Sequence, residues 1–133
     1  MNTIEHIIEH CFIKILGEEV PSIKWLHFEN EAIDKDGKPV GVVKAERTLR
    51  TTLCFYNFDI SIYVVGAKDE YHRKIDNAVG DKDRLGIDLA DKSDGLIIVG
   101  NTQGWNVPRS TVGQNLYSRT WTTTLEAGYT TNN

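Results

Sequence analysis

"FDISIYVVG", residues 58–66, decides the fold class. Phe58, Ile60, Ile62 and Val64 alternate with Asp59, Ser61 and Tyr63, and Gly66 closes the run. A period of two, built from β-branched and aromatic residues, is the signature of a strand with one face inward and one outward. Upstream, Val40 to Val65 is β-rich throughout, either as one long strand that bends near Asn57 or as two strands in a hairpin. Further upstream, Ile23 to Phe28 suits a strand, and "DKDGKP", residues 34–39, has the chemistry of a polar turn. At the N-terminal end the period changes. Ile4, Ile7, Ile8, Cys11, Phe12, Ile15 and Leu16 follow helical spacing, with Asn2 or Thr3 as cap and Gly17 as stop.

Downstream, Tyr71, Ile75 and Ala78 form one face of a second helix with Asp69 and Glu70 near its start, and Gly80 breaks it. A short turn over Leu85 to Leu89, a buried strand over Leu96 to Val99 and a last strand from about Leu116 to Tyr129 complete the chain. In that last strand Tyr117, Trp121, Thr123 and Leu125 share one side. The order predicts a single α+β domain over residues 1–133: a mainly antiparallel sheet with an N-terminal helix and a second helix packed on it.

The chain has 133 residues, 40% hydrophobic and 26% charged, with a formal net charge of -4. That length suits one core, and the mild acidity excludes a dedicated phosphate-backbone binder, which carries a basic surplus. Cys11 and Cys54 are too few for a disulfide scaffold and read as two buried free thiols in a reducing compartment. Glu5 and Glu9 stand where a signal peptide would carry Lys or Arg, and no apolar stretch reaches the length of a membrane span, so synthesis in the cytoplasm is expected.

Several motifs invite an enzymatic reading. His6-Ile7-Ile8-Glu9-His10 matches the His-x-x-Glu-His zinc motif of inverted metallopeptidases. On a helical wheel, however, the two histidines point away from the apolar stripe, and a catalytic zinc needs a third ligand and a dry cavity. The pattern is read as a wet helix face, with His27 and His72 lacking neighbouring ligands. Asp34-Lys35-Asp36-Gly37 fails as a calcium loop, because the first and last ligand positions fall on Ala32 and Val43. Asp36-Gly37-Lys38 has the acidic-x-lysine form of metal-dependent nucleases but lies in a turn. Asp69, Asp76, Asp81, Asp83, Asp88 and Asp91 are balanced by Lys68, Arg73, Lys74, Lys82 and Arg84, as on a solvated helix face. There is no phosphate loop and no nucleophile motif. No catalytic residue, metal ligand or cofactor is therefore expected.

The loop "GNTQGWNVPRSTVGQN", residues 100–115, is long and carries Trp105 beside Val107 and Pro108. The threonine-lined strand after it has a surface that would tempt another chain to pair. Trp105, Val107, Pro108, Tyr117 and Trp121 are the candidate interface residues.

The N-terminal helix, strands reaching "DISIYVVG" (59–66), the charged helix around "KDEYHRKID" (68–76) and the ending "WTTTLEAGYTT" (121–131) together resemble the tail terminator, or tail completion, proteins of long-tailed bacteriophages. The likeness spans about residues 4–131 and rests on length and element order. It implies a virion assembly protein made in the host cytoplasm and incorporated in the tail. Six copies would form a ring that caps the tail tube protein, stops polymerisation and offers the surface for a head-completion or neck protein. DNA would transit the channel without specific binding, and no membrane would be involved. The competing expectations are a small metal-dependent hydrolase or nuclease and a monomeric ligand-binding domain.

Overall fold

The computed structural model describes residues 3–27, 38–51, 55–107 and 118–130. Three helices, α1 (Ile4–Glu19), α2 (Asp69–Val79) and α3 (Lys82–Lys92), accompany five strands: β1 (Lys24–His27), β2 (Val40–Thr51), β3 (Tyr56–Val65), β4 (Ile97–Thr102) and β5 (Arg119–Tyr129). The strands form one sheet in the order β1-β2-β3-β5-β4. All pairings are antiparallel except β1 with β2, which run parallel. The fold is α+β, as the change of period along the sequence predicts.

The alternation in β3 has the expected consequence. Phe58, Ile60, Ile62 and Val64 are fully buried. Across the register they meet Arg47, Ala45, Val43 and Gly41 of β2 and, for the first three, Leu125, Thr123 and Trp121 of β5. The helices cover this face: Ile4, Ile8, Cys11, Phe12, Ile15 and Leu16 of α1, Ile75, Ala78 and Val79 of α2, and Leu85 and Leu89 of α3 all enter one core. Burying such side chains contributes roughly 1.5–3 kcal/mol each before conformational entropy is set against it.

The stretch from 40 to 65 is two strands, not one that bends. β2 and β3 pair from Val40↔Val65 through to Thr51↔Tyr56, with a register shift between Arg47 and Thr51. The expected turn over Leu85 to Leu89 is a complete helix. The Asp81 carboxylate caps α3 by accepting from the backbone N–H groups of Asp83 and Arg84, and Leu85 and Leu89, one turn apart, are buried together. The strand expected to end at Val99 continues to Thr102.

The last strand is no free edge. β5 lies between β3 and β4, so its backbone is paired on both sides and the outermost strands are β1 and β4. Beyond β4 the chain keeps to β5: Gln103 N–H donates to the Thr124 carbonyl at 3.0 Å, and Asn106 and Thr122 exchange backbone hydrogen bonds at 2.7 and 2.9 Å. The first half of the supposed long loop is thereby tied to the sheet.

On the opposite face of the sheet no helix packs among the described residues. Asp59 and Tyr63 of β3 are exposed there, with Ser61, Thr120, Thr122 and Thr124 half-covered beside them. Thr124 donates to the Asp59 carboxylate at 3.1 Å.

Candidate functional site

The N-terminal histidine motif is not simply a wet helix face. α1 lies over β1 and β2, and its flank, not only its apolar stripe, meets them. Glu5 accepts from Arg47 Nε at 2.8 Å. Glu9 is buried, 8% exposed, with both carboxylate oxygens engaged. Its Oε2 accepts from the backbone N–H of Ala45 at 2.9 Å, and its Oε1 lies 3.1 Å from His27 Nδ1. A carboxylate without a proton can only accept, so opposite such a carboxylate Nδ1 is the donor.

His27 is equally engaged. Its ring stacks on His6 with centroids 4.2 Å apart and planes 3° from parallel, and lies parallel to His10 at 5.9 Å. Of the two helix histidines only His10 is exposed, while His6 is half-buried. One donor atom from each of His6, Glu9 and His27 falls within 4.8 Å of the others. Partial burial, then the neighbouring Lys14, His27 and His6, hold the His10 pKa below the ordinary histidine value, because each disfavours a further positive charge.

The expectation that Glu9 faces water and that His27 lacks neighbouring ligands is therefore corrected. The wheel places apolar residues relative to one another, but it says nothing of a strand lying alongside the polar flank. The missed signal was Glu9 itself, next to Ile8 of the apolar stripe, with His27 ending the strand that lies beneath.

Beside this cluster a groove of about 330 Å³ runs between α1 and the α3–β4 turn, lined by His6, Ile7, His10, Cys11, Lys14, Lys92, Ser93, Asp94 and Leu96. Burial pushes the Cys11 thiol up to about 11. The hydrogen bond from Lys92 to Glu18, 2.6 Å, raises the lysine above its usual value and ties α3 to the end of α1. Arg84 to Glu19 at 3.2 Å adds a second tie.

The candidate interface residues part company. Trp121 is 1% exposed, its Nε1 donating to Asp76 at 2.7 Å and its ring meeting His72 edge-on at 5.6 Å. It is a core residue of the single chain and presents nothing to a partner. Its position on the inward side of β5 accounts for this. Trp105 is half-buried: Nε1 donates to the Val79 carbonyl at 2.8 Å, and the ring stands perpendicular to Phe12 at 6.0 Å. Val107 is half-buried against the same core. Both fasten the end of the β4 segment to the helices. Pro108 and Tyr117 lie outside the described residues, as do Cys54 and the acidic turn at 34–37.

Exposed apolar side chains occur elsewhere. Ile98 on the outermost strand is 46% exposed, opposite Gly128, which offers no side chain to cover it. Tyr129, Leu96 and Tyr63 are each nearly half exposed, and Ile87 on α3 more so.

No family model matches the sequence, and no curated protein matches it. Among solved structures, one protein whose name describes no function is similar over 96% of each chain, with 14% identity and a TM-score of 0.42. No helix among the described residues is long and apolar enough to cross a membrane.

Proposed function

We propose that this chain is a structural subunit of the tail of a long-tailed phage. It forms a six-membered ring that caps the tail tube, stops its polymerisation and provides the surface on which a head-completion or neck protein docks. The observation that carries the reading is a sheet with helices on one face only, whose uncovered face runs out to an edge strand bearing the exposed Ile98. A one-sided sheet with an apolar residue on its outermost strand is surface that pairing with a second copy would cover. A ring needs two different patches per subunit, one meeting the other on the next copy. The uncovered face and the β4 edge are distinct surfaces of this kind.

The net charge of -4 suits a channel through which DNA slides, since a basic lumen would hold phosphates electrostatically. The resemblance of the sequence to tail terminator proteins in length and element order is the other support for the reading. In this reading the protein is not an enzyme. The test is the mass and shape of the purified full chain, alone and at increasing concentration, by mass photometry and negative-stain microscopy. Six copies of the 15.0 kDa chain in a ring with an open centre is the expected result. A single-chain mass at every concentration up to the millimolar range defeats the proposal.

A further inference from the structure

We infer that His6, Glu9 and His27 form a binding site for a divalent transition-metal ion of the zinc class, clamping α1 onto β1. The inference goes beyond the ring reading and is read out on the isolated chain, so either can fail without the other.

Two imidazoles and one carboxylate are a zinc ligand set, and they come here from two separate elements, the helix and β1. A tetrahedral ion about 2.0–2.2 Å from each donor spaces those donors roughly 3.3–3.6 Å apart. His27 Nδ1 and Glu9 Oε1, at 3.1 Å, are already near that spacing. The donors all lie within 4.8 Å of one another, at most about an ångström or so beyond that spacing, and because the His6 and His27 rings are parallel one of them rotates for both lone pairs to converge on the ion.

The carboxylate is oriented from behind. Glu9 Oε2 is held at 2.9 Å by the Ala45 N–H, the kind of outer hydrogen bond that fixes a metal-ligating carboxylate. That leaves Oε1 directed at the imidazoles. An ion also has a way in, because His6 lines the groove between α1 and the α3–β4 turn. Binding puts the ion where the Nδ1 proton now sits between His27 and Glu9. That proton moves to Nε2 of a neutral ring, or leaves to solvent if the ring is an imidazolium. The one remaining tetrahedral position goes to water. The role inferred for the site is to bind and to fasten.

The experiment uses the full chain without a histidine tag, stripped with chelator and titrated with zinc chloride by calorimetry, with cobalt(II) absorption to report the ligand field. One ion per chain is expected, with a thermal midpoint that rises with zinc concentration as binding to the folded state requires. His6→Ala and His27→Ala should each weaken binding by more than the roughly 10- to 100-fold that loss of an outer hydrogen-bond partner costs. His10→Ala, outside the group, should leave it unchanged. If His27→Ala does not fold, the half-exposed His6→Ala carries the comparison. Absence of saturable zinc binding, or undiminished one-to-one binding in His6→Ala, overturns the inference.

Discussion

Trp121 shows how one side chain can be read correctly for position and wrongly for role. The alternation along β5 puts it on the inward side, and there its indole fills the core and hydrogen-bonds Asp76. Trp121→Phe keeps most of the ring but removes the donor to a charged acceptor, and should cost about 1–3 kcal/mol in urea unfolding. Trp121→Ala, which also leaves a cavity, should cost about 3–5 kcal/mol. A Trp121→Phe variant as stable as the parent would mean that the Asp76 contact contributes nothing. Cys11 makes a second prediction at this scale. With its pKa at about 11, roughly one thiol in a thousand is ionised at pH 8, and only the thiolate reacts. Site-resolved iodoacetamide labelling should find Cys11 inert in the native chain and reactive once urea unfolds it. Rapid native labelling would show that the α1 face opens.

At the scale of elements, what the sequence made legible was whatever rests on period. α1, β3 and β5 each span enough residues for a helical or alternating pattern to repeat, and each stands where the pattern puts it, except that α1 runs through the expected stop at Gly17 to Glu19. β1, expected over Ile23 to Phe28, stands at Lys24–His27, but four residues carry no alternation from which its parallel pairing with β2 could be read. α3 was masked by its acidic residues and by Gly86, yet a side chain at position 86 would meet Val99 at an ordinary contact distance of 3.9 Å, so this face of the helix lies against β4. The His6, Glu9 and His27 cluster escaped for the same reason as that pairing, since it exists only once the short strand is placed under α1. The β1–β2 contact also supplies a test. Trp25, its Nε1 donating to the Val20 carbonyl at 3.1 Å, lays its ring over Gly41, and a methyl group at position 41 would overlap that ring. Gly41→Ala should therefore destabilise by about 1–3 kcal/mol through overpacking. In the Trp25→Leu background the same change should cost markedly less, a non-additivity that a double-mutant cycle measures. Full additivity would show that the ring does not rest on the glycine.

At the scale of the whole molecule, the question is which surface another copy would use. Trp121 is buried inside the chain on Asp76, while Trp105 bonds Val79 and packs on Phe12 with part of its ring still at the surface. What the fold leaves uncovered is the helix-free sheet face and the outermost strand β4, where Ile98 stands over Gly128. A lysine at an edge position is the ordinary device by which sheet proteins refuse further pairing, because its charge cannot be buried against a neighbour. Its aliphatic stem, however, can lie along the strand as the isoleucine does. Ile98→Lys should therefore leave the circular dichroism spectrum and thermal midpoint of the single chain within narrow limits of the parent, since the side chain is already 46% exposed. The same change should convert the ring to single chains at equal concentration. The pairing of those two readouts matters, because loss of the ring together with loss of stability would only report a damaged fold. A ring that persists in stable Ile98→Lys removes the β4 end of the open face from the interface and leaves the rest of that face, with Asp59, Tyr63 and the threonines of β5, as the surface on which closure would have to depend.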